Sequence, residues 1–189
     1  MNKKQQHSLV FLRNNDREML KQLYIWQISE DKKDMMSCTF SPPTQEYKEE
    51  NFEKYYNDMK SRLTHYTFLQ NNETKELLGF LSYQKINMRN FSIELSYYFP
   101  KENRGRGYGT ELMSLFLDTM FNFEKMNLNK VYAETYEGNV RSKKLLEHFG
   151  FKIDGVMREH YWFDGGKVKY DQLIFSLLRS EWEKYLIDT

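Results

Sequence analysis

Three of the nine glycines fall within five residues, in the segment Arg104-Gly105-Arg106-Gly107-Tyr108-Gly109-Thr110. An apolar strand pattern ends before it at Phe99, and a helical pattern begins near Gly109. A strand-to-helix connection of this kind collects the free N–H groups of the first helical turn at the positive end of the helix dipole. Glycines let an anion approach that backbone closely, so the chemistry it suits is phosphate binding. A Walker loop requires Gly-Lys-Ser/Thr after a four-residue gap, and a dinucleotide-binding turn requires Gly-x-Gly-x-x-Gly. The spacing here is Gly-x-Gly-x-Gly and fits neither. An arginine–glycine tract for RNA would be longer. On this segment alone an ordinary glycine turn stays open.

A second group with chemical potential is Glu94. Strict alternation along 91–99 sets Phe91, Ile93, Leu95, Tyr97 and Phe99 on one face and Ser92, Glu94, Ser96 and Tyr98 on the other, polar one. A carboxylate there is either a solvent-facing strand residue or a general base. Cys38 is the single cysteine and has no His or Asn nearby in sequence, which argues against a nucleophile and excludes an internal disulfide. The four histidines stand apart at 7, 65, 148 and 160, so no zinc spacing arises and no metal is expected. His148 reads as a surface or packing residue, and His160 as a candidate lining of a cleft.

The elements that must position these groups follow from periodicity. The chain has 189 residues, which suits one domain, 1–189. A strand at 8–13 leads to a helix with Met19, Leu20, Leu23 and Tyr24 on one face, entered through a capping box of Asn15 and Glu18. Residues 29–43 read as an irregular loop. A helix at 44–62 buries the stripe Phe52, Tyr55, Tyr56, Met59, with charges on its other face forming local ion pairs. Strands at 65–70, 77–86 and 91–99 form an antiparallel meander ended by Pro100. Then come a helix at 110–126, a strand at 130–136, a short helix at 139–148 closed by Gly150, and strands at 151–163 and 168–178 joined by a turn at 164–167. A meander followed by a βαβ unit predicts an α+β fold with a mixed sheet and helices on both faces.

Composition narrows the function. With 28 basic and 27 acidic residues the net charge is +1, which speaks against a nucleic-acid partner. No apolar run is long enough for a membrane span or a signal-peptide core. A soluble cytoplasmic protein is expected.

The pattern Arg104-x-x-Gly107-x-Gly109, followed by a helix, a strand, Asn139-Val140-Arg141-Ser142 and Gly150-Phe151, resembles the GNAT superfamily of acyl-CoA-dependent N-acetyltransferases. Glu94 to Phe99, Arg158-Glu159, Asp164-Gly165 and Asp171 resemble the branch with ribosomal-protein N-terminal and spermidine acetyltransferases. The resemblance covers most of 8–183 and is specific from 91 to 175. It implies a mostly antiparallel sheet of about seven strands whose central parallel pair, 91–99 and 130–136, splays apart to admit the pantetheine arm of acetyl-CoA. Tyr97 to Phe99 would contact that arm. Gly105, Gly107, Gly109 and Thr110 would hold the pyrophosphate through backbone N–H, with Arg104 and Arg106 adding charge and Tyr108 beside them. Asn139 and Ser142 would contact the pantetheine or the thioester end.

The implied reaction is direct attack of a primary amine on the thioester in a ternary complex. Amines of pKa about 8–10 are largely protonated at neutral pH, so a base helps. Glu94 matches the position of the family's frequent base. Leu146 stands where many members carry an acidic tyrosine, which leaves Ser142, a water or no acid. An inactive acetyl-CoA-binding sensor or scaffold is the alternative, and a nucleic-acid binder using Arg104, Arg106 and Tyr108 is a remote one. The acceptor cleft is expected between 29–62 and the 158–168 hairpin. Segment 44–62 has five acids and four bases, a near balance that favours a peptide N-terminus or an amino sugar over a polyamine. A monomer or homodimer is expected.

Overall fold

The computed structural model describes residues 6–13, 16–29, 47–59, 65–122, 127–163 and 166–188. The chain runs β1 (His7–Phe11), α1 (Arg17–Ile28), α2 (Glu49–Met59), β2 (His65–Asn71), β3 (Leu77–Asn87), β4 (Ser92–Tyr98), a 3-10 turn (Lys101–Asn103), α3 (Tyr108–Asn122), β5 (Lys130–Tyr136), α4 (Val140–His148), β6 (Lys152–Phe163), β7 (Val168–Leu178) and α5 (Arg179–Asp188). Seven strands make one sheet in the order β1-β2-β3-β4-β5-β7-β6. β1 pairs antiparallel with β2, and β7 pairs antiparallel with both β5 and β6, whereas β4 and β5 are parallel. This is the mixed sheet with a central parallel pair that the sequence implied. Among the described residues no helix is long and apolar enough to cross a membrane.

The residues fall into two compact units, 1–82 with 97–108 and 83–96 with 109–189. The first has an aromatic core. Trp26 stacks on Phe80 with centroids 6.1 Å apart, and Phe80 meets Tyr98 at 5.6 Å. Leu20, Leu23, Phe52 and Phe68 are fully buried around them. Helix α1 begins at Asp16, whose side chain accepts the Met19 N–H at 3.1 Å. The cap is therefore one residue beyond the predicted one, and Asn15 lies outside the described residues. Arg17 ties α1 to α2 by ion pairs with Glu49, at 2.8 Å, and Glu53, and its guanidinium lies 4.9 Å from the Phe52 ring centroid. The charged face of α2 thus pairs with another helix rather than only along itself. The predicted loop at 29–43, Cys38 included, lies beyond Ser29 outside the described residues, as do 44–46 and the turn residues 164–165.

The second unit buries Phe116, Leu117, Val131, Leu146, Phe175 and Leu177. Its C-terminal helix α5 was not expected from the sequence. The start of α5 is capped from within, because Leu178 N–H donates to Glu181 at 3.0 Å. Trp182 is the buried anchor, 6.2 Å from Phe149 and stacked on Tyr185.

Candidate active site

The glycine segment begins where β4 ends. Gly105 has φ +74° and Gly107 φ +83°, in the left-handed region that other residues avoid. A Cβ at either would meet nothing within 4 Å. The glycines are therefore required by backbone shape and leave open space over the loop. The loop is braced behind. Arg104 Nε donates to the Phe99 carbonyl at 2.8 Å, and the buried Asn103 amide donates to the Leu78 carbonyl at 2.9 Å. Helix α3 starts at Tyr108, earlier than expected, so Gly109 and Thr110 carry first-turn N–H groups. Tyr108 meets His7 edge-on at 5.3 Å. Arg106 and Thr110 are exposed, while Phe99 is buried with its ring against Gly79.

β4 and β5 pair over three residues only: Ser92↔Lys130, Ile93↔Val131 and Glu94↔Tyr132. Both strands continue, β4 to Tyr98 and β5 to Tyr136, but their ladder stops at Glu94. A strand edge where a ladder ends is the kind of backbone that an amide-bearing ligand can pair with. Tyr97 is half-buried in the part of β4 beyond that ladder.

Glu94 sits at the last paired position and is 9% exposed. Strict alternation failed here. Tyr98, assigned to the polar face, is buried with Trp26 and Phe80, and Phe91, assigned to the apolar face, is exposed with φ +51°. Three side chains that sequence reasoning did not find surround the Glu94 carboxylate. Lys85 Nζ lies 2.6 Å from Oε2, and Gln84 Nε2 is at 3.4 Å from Oε1. Tyr132 is the third, directly opposite Glu94 in the β4–β5 register. The Glu94 carboxylate raises the Lys85 ammonium pKa through that contact, and burial followed by Glu94 raises the Tyr132 phenol. Lys85 has φ +49°, so the end of β3 is locally kinked. No spacing rule links 84–85 and 132 to Glu94; the pairing of strands does.

Asn139 caps α4, its side chain accepting the Ser142 N–H at 3.2 Å. The Asn-x-x-Ser signature is thus a helix start first, with the Asn amide NH₂ still able to donate to a ligand. Leu146 is fully buried, so no group can act from its position. His148 packs on Phe149 and Tyr185, as expected of a packing residue. A cavity of about 560 Å³ is lined by Met157, Arg158, Glu159 and His160. A larger one, about 670 Å³, is lined by residues including Asp16, Glu18, Trp26, Glu76 and Glu102, none of which the sequence marked for a functional site.

Known proteins share this fold. The acetyltransferase (GNAT) domain family matches residues 9–152. A putative ribosomal N-acetyltransferase of Bacillus subtilis, YdaF, is 30% identical over 107 residues, 57% of this chain and 56% of that protein. The uncharacterized N-acetyltransferase p20 of Bacillus licheniformis is 29% identical over 110 residues, 58% of this chain and 60% of that protein. The matched stretch thus spans about three fifths of these curated relatives. The spermidine N(1)-acetyltransferase of Vibrio cholerae is 27% identical over 135 residues, 70% of this chain and 75% of that protein. In structure, the spermidine N-acetyltransferase from Vibrio cholerae, solved in complex with CoA and spermine, superposes with TM-score 0.77 over 95% of this chain and 99% of that one, at 23% identity. The family match takes in both the glycine loop and the Asn139 cap, and the chain belongs to the acetyltransferase (GNAT) domain family.

Proposed function

We propose that this chain, working as a single domain in the cytoplasm, is an N-acetyltransferase. It transfers an acetyl group from acetyl-CoA to a primary amine, a peptide N-terminus or a small amine such as an amino sugar, by direct attack in a ternary complex. The observation that carries this reading is the end of the β4–β5 ladder at Glu94↔Tyr132, beyond which both strands continue. The pantetheine amides of acetyl-CoA fit such edges. The positive-φ glycines, with open space above them, fit a pyrophosphate. In this reading Gly105, Gly107, Gly109 and Thr110 bind it through N–H groups, and Arg104, Arg106 and Tyr108 flank it. Tyr97 and Phe99 offer backbone to the arm, and Asn139 and Ser142 orient its thioester end.

Glu94 takes a proton from the acceptor ammonium, directly or through water, and Lys85 Nζ, 2.6 Å from Oε2, holds the carboxylate in place. Ser142 or a water serves the departing thiolate. The test incubates the protein with acetyl-CoA and, in turn, a Ser- or Ala-ended peptide, a nucleotide amino sugar and spermidine, reading thiol release and the mass of the product. Acetylated amine with stoichiometric thiol supports the reading. The ion pair on Glu94 and the burial of Leu146 favour a second reading, an acetyl-CoA-binding sensor; such a protein binds acetyl-CoA and releases no thiol with any amine.

A further inference from the structure

Gln172 lies on β7, is 3% exposed, and donates its Nε2 to Glu134 Oε2 at 2.6 Å. That bond fixes the amide's orientation, because a carboxylate accepts and cannot donate to the other end. The carbonyl Oε1 is left buried with no hydrogen-bond partner among the described residues. A buried acceptor without a donor is costly, and a ligand N–H would remove that cost. Glu134 is exposed, and among the described residues no basic side chain is within ion-pair distance of it. Lys85, which feels its charge, is engaged with Glu94.

The strand registers bring aromatic rings to the same place. Tyr136 is Gln172's partner on β5, and Tyr170 precedes Gln172 by two residues on the same face. Tyr136 lies 5.3 Å from Tyr170 and 5.1 Å from Phe163, ring centroid to centroid, and all three rings are half-buried. On the other side Gln172 pairs with Met157, and the β6–β7 register shifts between Met157 and Tyr161. The bulge is pinned by the Glu159 N–H donating to Asp171 at 2.8 Å, with Glu159 at φ +50°. The 560 Å³ cavity is lined by these same residues, 157–160. A carboxylate and an unsatisfied carbonyl among aromatic faces suit an N–H group, cationic or amide. Glu134 is two residues beyond Tyr132 on one face of β5, about 7 Å along the strand from the Glu94 row.

Resting on the acetyl-transfer reading, we infer that Glu134 and Gln172, walled by Tyr136, Phe163 and Tyr170, form a specificity subsite for a second N–H group of the acceptor, separate from the amine that reacts. Three primary amines probe it: hexylamine, with no second N–H group; N-(4-aminobutyl)acetamide, with a neutral one; and 1,4-diaminobutane, with a cationic one. Amine KM and kcat are measured with the wild type, Gln172→Leu and Glu134→Ala, together with amine Kd by calorimetry in the presence of CoA and the acetyl-CoA KM. Both bifunctional amines should bind the wild type about tenfold more tightly than hexylamine, the scale of one well-made hydrogen bond. Gln172→Leu should erase that preference and leave hexylamine kinetics and the acetyl-CoA KM unchanged. Glu134→Ala should weaken the diamine more than the amide if the cation is the natural occupant, and both equally if it is an amide. Equal wild-type affinity for all three amines overturns the subsite. So does a Gln172→Leu effect that falls equally on all three or only on acetyl-CoA. A wild type that turns over none of the amines overturns the activity instead, and calorimetry still decides the subsite.

Discussion

The two ends of β4 are built on opposite plans. After Tyr98 the chain makes its candidate phosphate site almost wholly from backbone, with two glycines at positive φ, a helix start, and Arg104 and Asn103 turned back to brace the loop. At Glu94 the candidate proton-transfer site is made from side chains contributed by other strands, Gln84 and Lys85 from β3 and Tyr132 from β5. A backbone site is sensitive to added bulk and charge and indifferent to most neighbours. A side-chain site is sensitive to the loss of a single carboxylate. The two should therefore fail differently, one in cofactor affinity and the other in turnover.

The largest effect is expected at Glu94. Glu94→Gln keeps the shape and removes the base, and turnover at neutral pH should fall about 10²–10⁴-fold. The deficit should shrink as pH rises and the amine deprotonates without help; wild-type rates at pH 6.5 would refute the assignment. Next is Gly107→Glu, which puts a side chain at φ +83° and a carboxylate over the loop. Acetyl-CoA should bind at least about tenfold more weakly by calorimetry, the scale of a charge-assisted hydrogen bond lost. Unchanged affinity in a folded variant would break the comparison at its backbone end.

The smaller effects concern the frame. A Cβ on Gly79 would press on the Phe99 ring and lie 2.8 Å from the Tyr98 carbonyl oxygen. Gly79→Ala should cost about 1–3 kcal/mol as an overpacked core does. Each kcal/mol lowers Tm by about 2–4 °C in a chain of this size, and calorimetric melting reads it. The smallest effect is at Asp154, whose carboxyl is held below its ordinary value by Lys130 and then by Ser176, at 2.8 Å. A depressed carboxyl pKa stabilises the fold above the unfolded value of 3.8 and loses that contribution as pH falls through the folded value. Asp154→Asn should flatten the acid limb of a stability-versus-pH curve while leaving its alkaline side in place.

The same contrast explains what could be read from residue order. Glycine spacing reports a backbone conformation directly, so the turn of the loop and the strand-helix order from 65 to 178 were legible. Side-chain partners across a sheet leave no such trace. Lys85 lies in a kinked strand end that periodicity treats as ordinary, and Tyr98 and Phe91 broke the alternation that set the faces of β4. Helix α5 was missed because its start carries no Ser, Thr, Asn or Asp cap ahead of it; Glu181 reaches back to Leu178 instead. Asp16 took the cap assigned to Asn15, a one-residue ambiguity that two adjacent cap formers create.

The most direct test is a calorimetric titration of acetyl-CoA into Glu94→Gln, run beside thiol release by the same preparation with an amine the wild type acetylates. The division of labour along β4 predicts wild-type acetyl-CoA affinity together with turnover reduced by orders of magnitude. Affinity and turnover falling together would contradict it, as would turnover left intact.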